Sequence, residues 1–314
     1  MNLINEGSPF VAADARAWGW DGKSVVEAAN DGRIRRVARG LYVDARRRDS
    51  RELRLEAVRL VAPDHAVACN ETAAWLYGID AFKPSEQHLL VPSFVVRHGT
   101  SRIRRPEVRC RQADLALDDV DRVGGVWVTT PERTAMDLLR SLYRPYALSA
   151  ADAMVGAQLL RDEDLIQRAF ELKGYRGIVQ ARELSLLVDG QSASPGESWM
   201  RLRLLDAGLP RPVCQFEVVD RFGRRRFLDS AYPEVKVGVE FDGREFHTDA
   251  HDREHDADRR NYLTTVLGWH IVVATTETIF GFDASFEREV AALLGTPARL
   301  PRMWGTMRPE AKAA

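Results

Sequence analysis

Between residues 196 and 295 the apolar positions change period in a regular order. GESWMRLRLLDAGL (196–209) places them at helical spacing and stops at Gly208. VCQFEVVD (213–220) and RRFLDSAY (225–232) read as strands joined by a turn containing Gly223. Pro233-Glu234 turns the chain again into a third strand, VKVGVEFD (235–242). A helix is expected from Asp249 to Leu267 with Gly268 past its end, then a strand WHIVVAT (269–275) and a closing helix DASFEREVAALLG (283–295). The order is α-β-β-β-α-β-α.

The N-terminal part reads differently. VAADARAWGW (11–20) has helical spacing and stops at Gly19. DGKSVVEAANDGRI (21–34) predicts a second helix, with Asp21 or Ser24 as its cap and Asn30-Asp31-Gly32 as its end. IRRVARGLYV (34–43) then alternates about an Arg39-Gly40 turn, the pattern of a hairpin. Helix, helix, basic hairpin is the order of a winged helix, whose second helix can enter a major groove while the wing lies on the backbone. Helices are expected at 51–63, 69–79, 130–142 and 162–173, and strands at 87–93 and 124–130; this middle region shows no catalytic constellation. VDGQSASPGES (188–198), rich in Gly, Ser and Pro, marks the clearest boundary. The expected organisation is therefore mixed α/β: a winged helix over 1–48, a middle domain over 49–187, a third domain over 188–298 and a loosely ordered tail over 299–314.

Composition narrows the classes. The 314 residues are 45% hydrophobic and 29% charged, as in a soluble globular protein. No apolar run nears the roughly 20 residues that a membrane span needs, and MNLINEGSPF lacks the pattern of a signal peptide. Three scattered cysteines without a CxxC pair fit a reducing cytoplasm. The formal net charge of −1 says nothing about nucleic acid, but ten arginines against four acids between Arg33 and Arg59 form a local excess that could meet phosphate. Lys23, Arg33, Arg35, Arg36 and Arg39 are the candidate contacts; a solvated arginine-rich surface is the plain alternative.

Chemistry concentrates at one strand end. In 235–242 the valines and Phe241 share one face, and Lys236, Gly238, Glu240 and Asp242 the other. Asp229 lies in the preceding strand, and pairing brings it to the same end if the register allows. Glu197, on the first turn of the preceding helix, is a fourth acid. Clustered carboxylates raise one another's pKa unless a cation neutralises them, and hard oxygen ligands suit Mg²⁺ or Mn²⁺, which can activate water and stabilise charge on phosphate. His247, His251 and His255 follow at four-residue spacing. His247 near the carboxylates is a candidate general acid/base or phosphate ligand; the other two read as solvated. Exposed strand-end acids without function are the competing reading.

The run LDSAYPEVKVGVEFDGREFH, followed by HDADRRNYLTTVLGWHIV, resembles the PD-(D/E)XK nuclease superfamily, in its Vsr-like branch. The resemblance implies a restriction-endonuclease-like core and a metal site of Asp229, Glu240 and Asp242. It places His247, Asp256 and Arg259 at the positions following the strand, and Glu197 on the first core helix. Two departures stand out: Asp242 replaces the lysine, the nearest being Lys236, roughly 13 Å away along a strand, and Val273 replaces the basic residue often found on the final strand. Residues 11–43 resemble the winged-helix domain of AbiEi-type antitoxins from type IV toxin–antitoxin systems, and ACNETAAWLYGI the segment following it there. That implies DNA and a cognate toxin as partners, with a homodimer among the forms it allows, and no catalysis. Two functions are thus expected to compete: a metal-dependent DNA endonuclease hydrolysing phosphodiester bonds, and an antitoxin-like DNA-binding regulator whose nuclease fold is degenerate.

Overall fold

A computed structural model of the chain describes residues 7–80, 90–219, 223–243 and 262–300. The backbone divides into two units, each made of two stretches: Met1–Ser141 with Leu159–Ala181, and Leu142–Gln158 with Arg182–Ala314.

The first unit begins with β1 (Phe10–Val11), a 3-10 turn (Asp14–Trp18), α1 (Gly22–Asn30), β2 (Ile34–Ala38) and β3 (Leu41–Asp44). Where the sequence predicts a helix over 11–20, Phe10 and Val11 instead pair with Tyr42 and Leu41, and the helical part shrinks to the 3-10 turn. No side chain caps that turn at Ala13, and Gly19 closes it in the left-handed conformation at φ 77. α1 is better specified, because the Asp21 carboxylate accepts the Ser24 N–H at 2.7 Å. The three strands form a sheet in the order β1-β3-β2, with the turn at Arg39-Gly40 as expected.

Each face of this sheet is apolar. Ile34 and Tyr42 pack with Phe10, Ala15, Val25 and Ala28 beneath α1. A register shift between Arg36 and Ala38 turns both Val37 and Ala38 to the other face. There they join Val11, Leu41 and Val43 in a core shared with α2 (Arg51–Arg59), α3 (Asn70–Leu76) and a second sheet. That sheet has the order β6-β5-β4-β8-β7, from β4 (Val67–Ala68), β5 (Ser93–Val96), β6 (Arg109–Gln112), β7 (Val120–Val123) and β8 (Val126–Thr129). β5 starts after Pro92, later than the 87–93 expected, since the β-branched FVV run pairs best and proline has no N–H to donate. Residues 87–89 lie outside the described ones. α4 (Pro131–Ser141) carries Arg133, which bridges Asp119 at 2.6 Å and Asp137 at 3.1 Å within the unit.

The second unit contains α5 (Arg144–Gly156); α6 (Asp162–Glu171) belongs to the first, and along α7 (Ile178–Ser185) the chain passes back to the second. There follow α8 (Pro195–Asp206), β9 (Val213–Val219), β10 (Arg225–Tyr232), β11 (Val237–Asp242) and β12 (His270–Thr275), then helices Thr276–Phe280 and Ser285–Leu294. The strands form one sheet, β12-β11-β10-β9, antiparallel except for the parallel pair β11–β12. One core joins Trp199, Tyr232, Val237, Val239 and Val272 with Phe286 and Val290. A second joins Val218, Leu228, Ala231, Leu263 and Trp269.

The sequence assigned α5 to the middle domain, yet it packs on α8 and is pinned by a buried ion pair. Arg201, fully buried, donates to the Asp152 carboxylate at 2.5 Å and to the Leu187 carbonyl. Burial raises the Asp152 pKa while Arg201 opposes the rise. The mixed α/β class predicted from the sequence is the one observed.

Candidate functional site

The acidic strand end is assembled by an interruption of the ladder. Pairing of β10 with β11 runs Tyr232↔Val237, Ala231↔Gly238, Ser230↔Val239. The same register continues to Asp229 and Glu240. There the Asp229 carboxylate takes over from the backbone and accepts the Phe241 N–H at 2.8 Å. On its other side, β9 pairs Leu228↔Phe216 and Ser230↔Cys214, leaving Gln215 across from Asp229 at φ 47. That left-handed residue breaks the alternation and frees its amide, which donates to Glu197 Oε2 at 2.8 Å.

Glu197 is fixed from its own helix as well. Ser194 caps α8 by accepting the Glu197 N–H at 3.2 Å, and Glu197 Oε2 accepts the Ala193 N–H at 2.9 Å. This is a reciprocal cap of the S-x-x-E kind. Gly196 lets the first turn of α8 lie directly on the Phe241 ring, since a Cβ there would overlap it. Glu197, Gln215, Asp229 and the Glu240–Phe241 pair are thus linked by contacts from α8 through β9 and β10 to β11. Glu240 is 2% exposed, beside Val273 of β12, and Asp242 is half-buried beside Thr275.

The donor types of Asp229, Glu240 and Asp242 suit Mg²⁺ or Mn²⁺. Their placement offers no ready site: among the described residues, no three His, Cys, Asp or Glu side chains converge closely enough to hold one ion. Lys236 corrects an expectation. Pro233–Val235 forms a 3-10 turn, Lys236 ends it at φ 51, and β11 starts only at Val237. Its amine points away from Glu240 in the sense that matters here, donating to the Leu267 carbonyl at 3.1 Å. His247, His251, His255, Asp256 and Arg259 lie outside the described residues. Gln215 is the residue that sequence reasoning missed. A lone amide inside the apolar run VCQFEVV was its signal.

The basic hairpin of the first unit sorts its cations equally sharply. Arg35 is not free to meet DNA, because its Nε and Nη2 both donate to the Arg47 carbonyl, at 3.0 and 2.9 Å. Arg33 pairs with Asp31 at 3.2 Å and lies over the Trp20 ring. Lys23 stands 3.7 Å from Glu27, both well exposed. Arg36 donates to the Tyr42 hydroxyl at 3.0 Å and covers its ring, and is itself exposed. Arg39 is exposed at the turn. Among the described residues neither Arg36 nor Arg39 meets an acid. The turn is anchored within its unit: Arg39 N–H donates to Leu90 O at 2.8 Å, Ala12 N–H to Gly40 O at 2.9 Å, and Gly40 (φ 71) abuts the Glu107 side chain. The hairpin is therefore a wing with a fastened tip.

Comparison with known proteins adds two findings. Residues 66–187 match the family model described as AbiEi antitoxin C-terminal domain. The uncharacterized proteins Rv2248 and MT2308, from two strains of Mycobacterium tuberculosis, are each 33% identical to this chain over 226 residues, 72% of this chain and 80% of theirs. The chain belongs to the family of these mycobacterial proteins and contains an AbiEi antitoxin C-terminal domain at residues 66–187.

Proposed function

We propose that the protein is an antitoxin-like DNA-binding regulator that grips duplex DNA with its N-terminal hairpin and α1. The observation that carries this reading is the AbiEi antitoxin domain at 66–187, folded in the same unit as a three-stranded hairpin sheet that holds α1. In that arrangement α1 takes the place of a recognition helix and the exposed Arg36 and Arg39 supply positive charge to the backbone. A cognate toxin is the protein partner that such a domain implies, and a homodimer fits a palindromic target.

The second reading, a metal-dependent endonuclease of the Vsr-like PD-(D/E)XK type, is supported by the contact that seats Asp229 against β11 beside Glu240. It is weakened by the position of Lys236 and by the internal hydrogen bonds that occupy Glu197. One paired experiment separates the two. The full chain is mixed with a duplex from upstream of its own coding region in a gel shift. Plasmid and mismatched duplex are incubated in parallel with Mg²⁺, Mn²⁺ or chelator, beside a Glu240→Ala variant. Retardation without cleavage is the expected result. Metal-dependent nicking that the variant loses would replace this reading with the second.

A further inference from the structure

Resting on the DNA-binding reading, we infer that specificity and affinity are carried by separate elements: Lys23, Val26, Glu27 and Asn30 of α1 read base edges, while Arg36 and Arg39 hold phosphates. The four α1 positions fall at i, i+3, i+4 and i+7, which is one face of a helix. Packing fixes which face is outward. Val25 and Ala28 are buried against Phe10, Ile34 and Tyr42, so the 23-26-27-30 stripe is turned to solvent, where all four residues are exposed and Val26 reaches 54%.

The chemistry of this stripe suits reading more than gripping. Lys23 and Glu27 cancel in charge and stand 3.7 Å apart, so together they add little to the sequence-independent attraction for phosphate. An exposed pair of this kind costs little to open. Opened, each member has a base-edge partner: lysine to guanine O6 and N7, glutamate to the cytosine amino group, asparagine to adenine N6 and N7, and an apolar Val26 to a thymine methyl. A major groove about 12 Å wide admits a helix about 10–12 Å across.

The helix start cannot serve as the phosphate anchor. The Asp21 carboxylate already occupies that end, accepting the Ser24 N–H at 2.7 Å and hydroxyl at 2.6 Å. Nor can Arg35 or Arg33, which are engaged with the Arg47 carbonyl and Asp31. Arg36 remains, on β2 opposite Tyr42, whose ring lies in the core beneath α1. Arg39 remains at the turn, held by a backbone bond that leaves its side chain exposed.

The test is selection by the full chain from a pool of duplexes with a randomised centre, followed by salt titration on the selected duplex. Val26→Ala, Glu27→Gln and Asn30→Ala are each expected to change the preferred base at one or two adjacent positions by about tenfold in relative affinity, with the salt slope unchanged. Arg36→Gln and Arg39→Gln are each expected to weaken all duplexes alike and lower the salt slope by about one. Thermal melting by circular dichroism shows that each variant is folded. A selected motif that survives all three stripe changes overturns the assignment while leaving DNA binding intact, and so does wild-type binding without sequence preference. A wild type that retains no duplex overturns the assignment and the DNA-binding reading together.

Discussion

The basic hairpin of the first unit and the acidic strand end of the second are both charge clusters, but they dispose of their charge in opposite ways. At the strand end, the acids are turned into the frame. Glu197 caps its helix and holds Gln215, Asp229 replaces a backbone acceptor, and Glu240 is 2% exposed. At the hairpin, Arg35 is likewise absorbed by the backbone, yet Arg36 and Arg39 face solvent. The difference teaches that a cluster of charge in a sequence is not yet a surface. What counts is which members the fold leaves unspent, and in this chain those are cations.

The comparison can be broken or sharpened by substitution. The largest effect is expected inside the second unit, where charge is buried outright. Asp152→Ala strands the fully buried Arg201 and should cost about 3–5 kcal/mol, read by denaturant unfolding of the variant against wild type. Replacing both partners by apolar residues of similar volume should recover much of that loss. A single change costing less than about 1 kcal/mol would mean that the pair is not what holds α5 to α8. The same logic predicts that residues 188–298 expressed alone, without α5, unfold at lower denaturant than the full chain.

A middle-sized effect belongs to the hairpin tip. Gly40→Ala puts a side chain at φ 71 and against Glu107, which should destabilise by about 1–3 kcal/mol. Glu107→Ala in the same chain should return the part due to overlap, leaving the backbone strain. Additive losses would show that the tip is not fastened there.

A smaller loss, about 1 kcal/mol, is expected from Gln215→Ala, which removes one of the two donors to the Glu197 carboxylate. No loss would show that the link between β9 and α8 is idle.

Smallest is a pH effect. Hydrogen bonds from the Arg46 side chain and backbone hold the Asp44 carboxyl at about 2, below its ordinary 3.8. A carboxylate depressed in the folded state contributes stability that is complete above the ordinary value and is lost as pH falls through the folded one. Wild type should therefore lose stability relative to Asp44→Asn between about pH 4 and pH 2, seen in unfolding midpoints at stepped pH. Parallel curves would refute the Arg46 contact.

Much of this was legible before any coordinates. β10 spans Arg225–Tyr232 as the alternation predicts, and the strand order of the second unit follows the turns at Gly223 and Pro233. The meeting of Asp229 with the Glu240 end was also readable, because a tight turn and an antiparallel neighbour leave few registers. Lys236 was misread because strand alternation was extended through residues that Pro233 had already bent into a 3-10 turn. Arg35 and Arg36 looked alike in sequence. What separates them is which face of β2 each occupies and which carbonyl lies within reach, set by β3 and the segment after it. The role of α5 in the second unit was not readable, since a helical period says that a face is buried and not what buries it.

The claim at the centre is that unspent cations on the hairpin hold DNA. The most direct measurement is the salt dependence of affinity of the full chain for its own upstream duplex, by fluorescence anisotropy, for wild type and an Arg36→Gln, Arg39→Gln double variant. The account predicts a slope lower by about two in the double variant, with affinity reduced at every salt concentration. Equal slopes and equal affinities would contradict it.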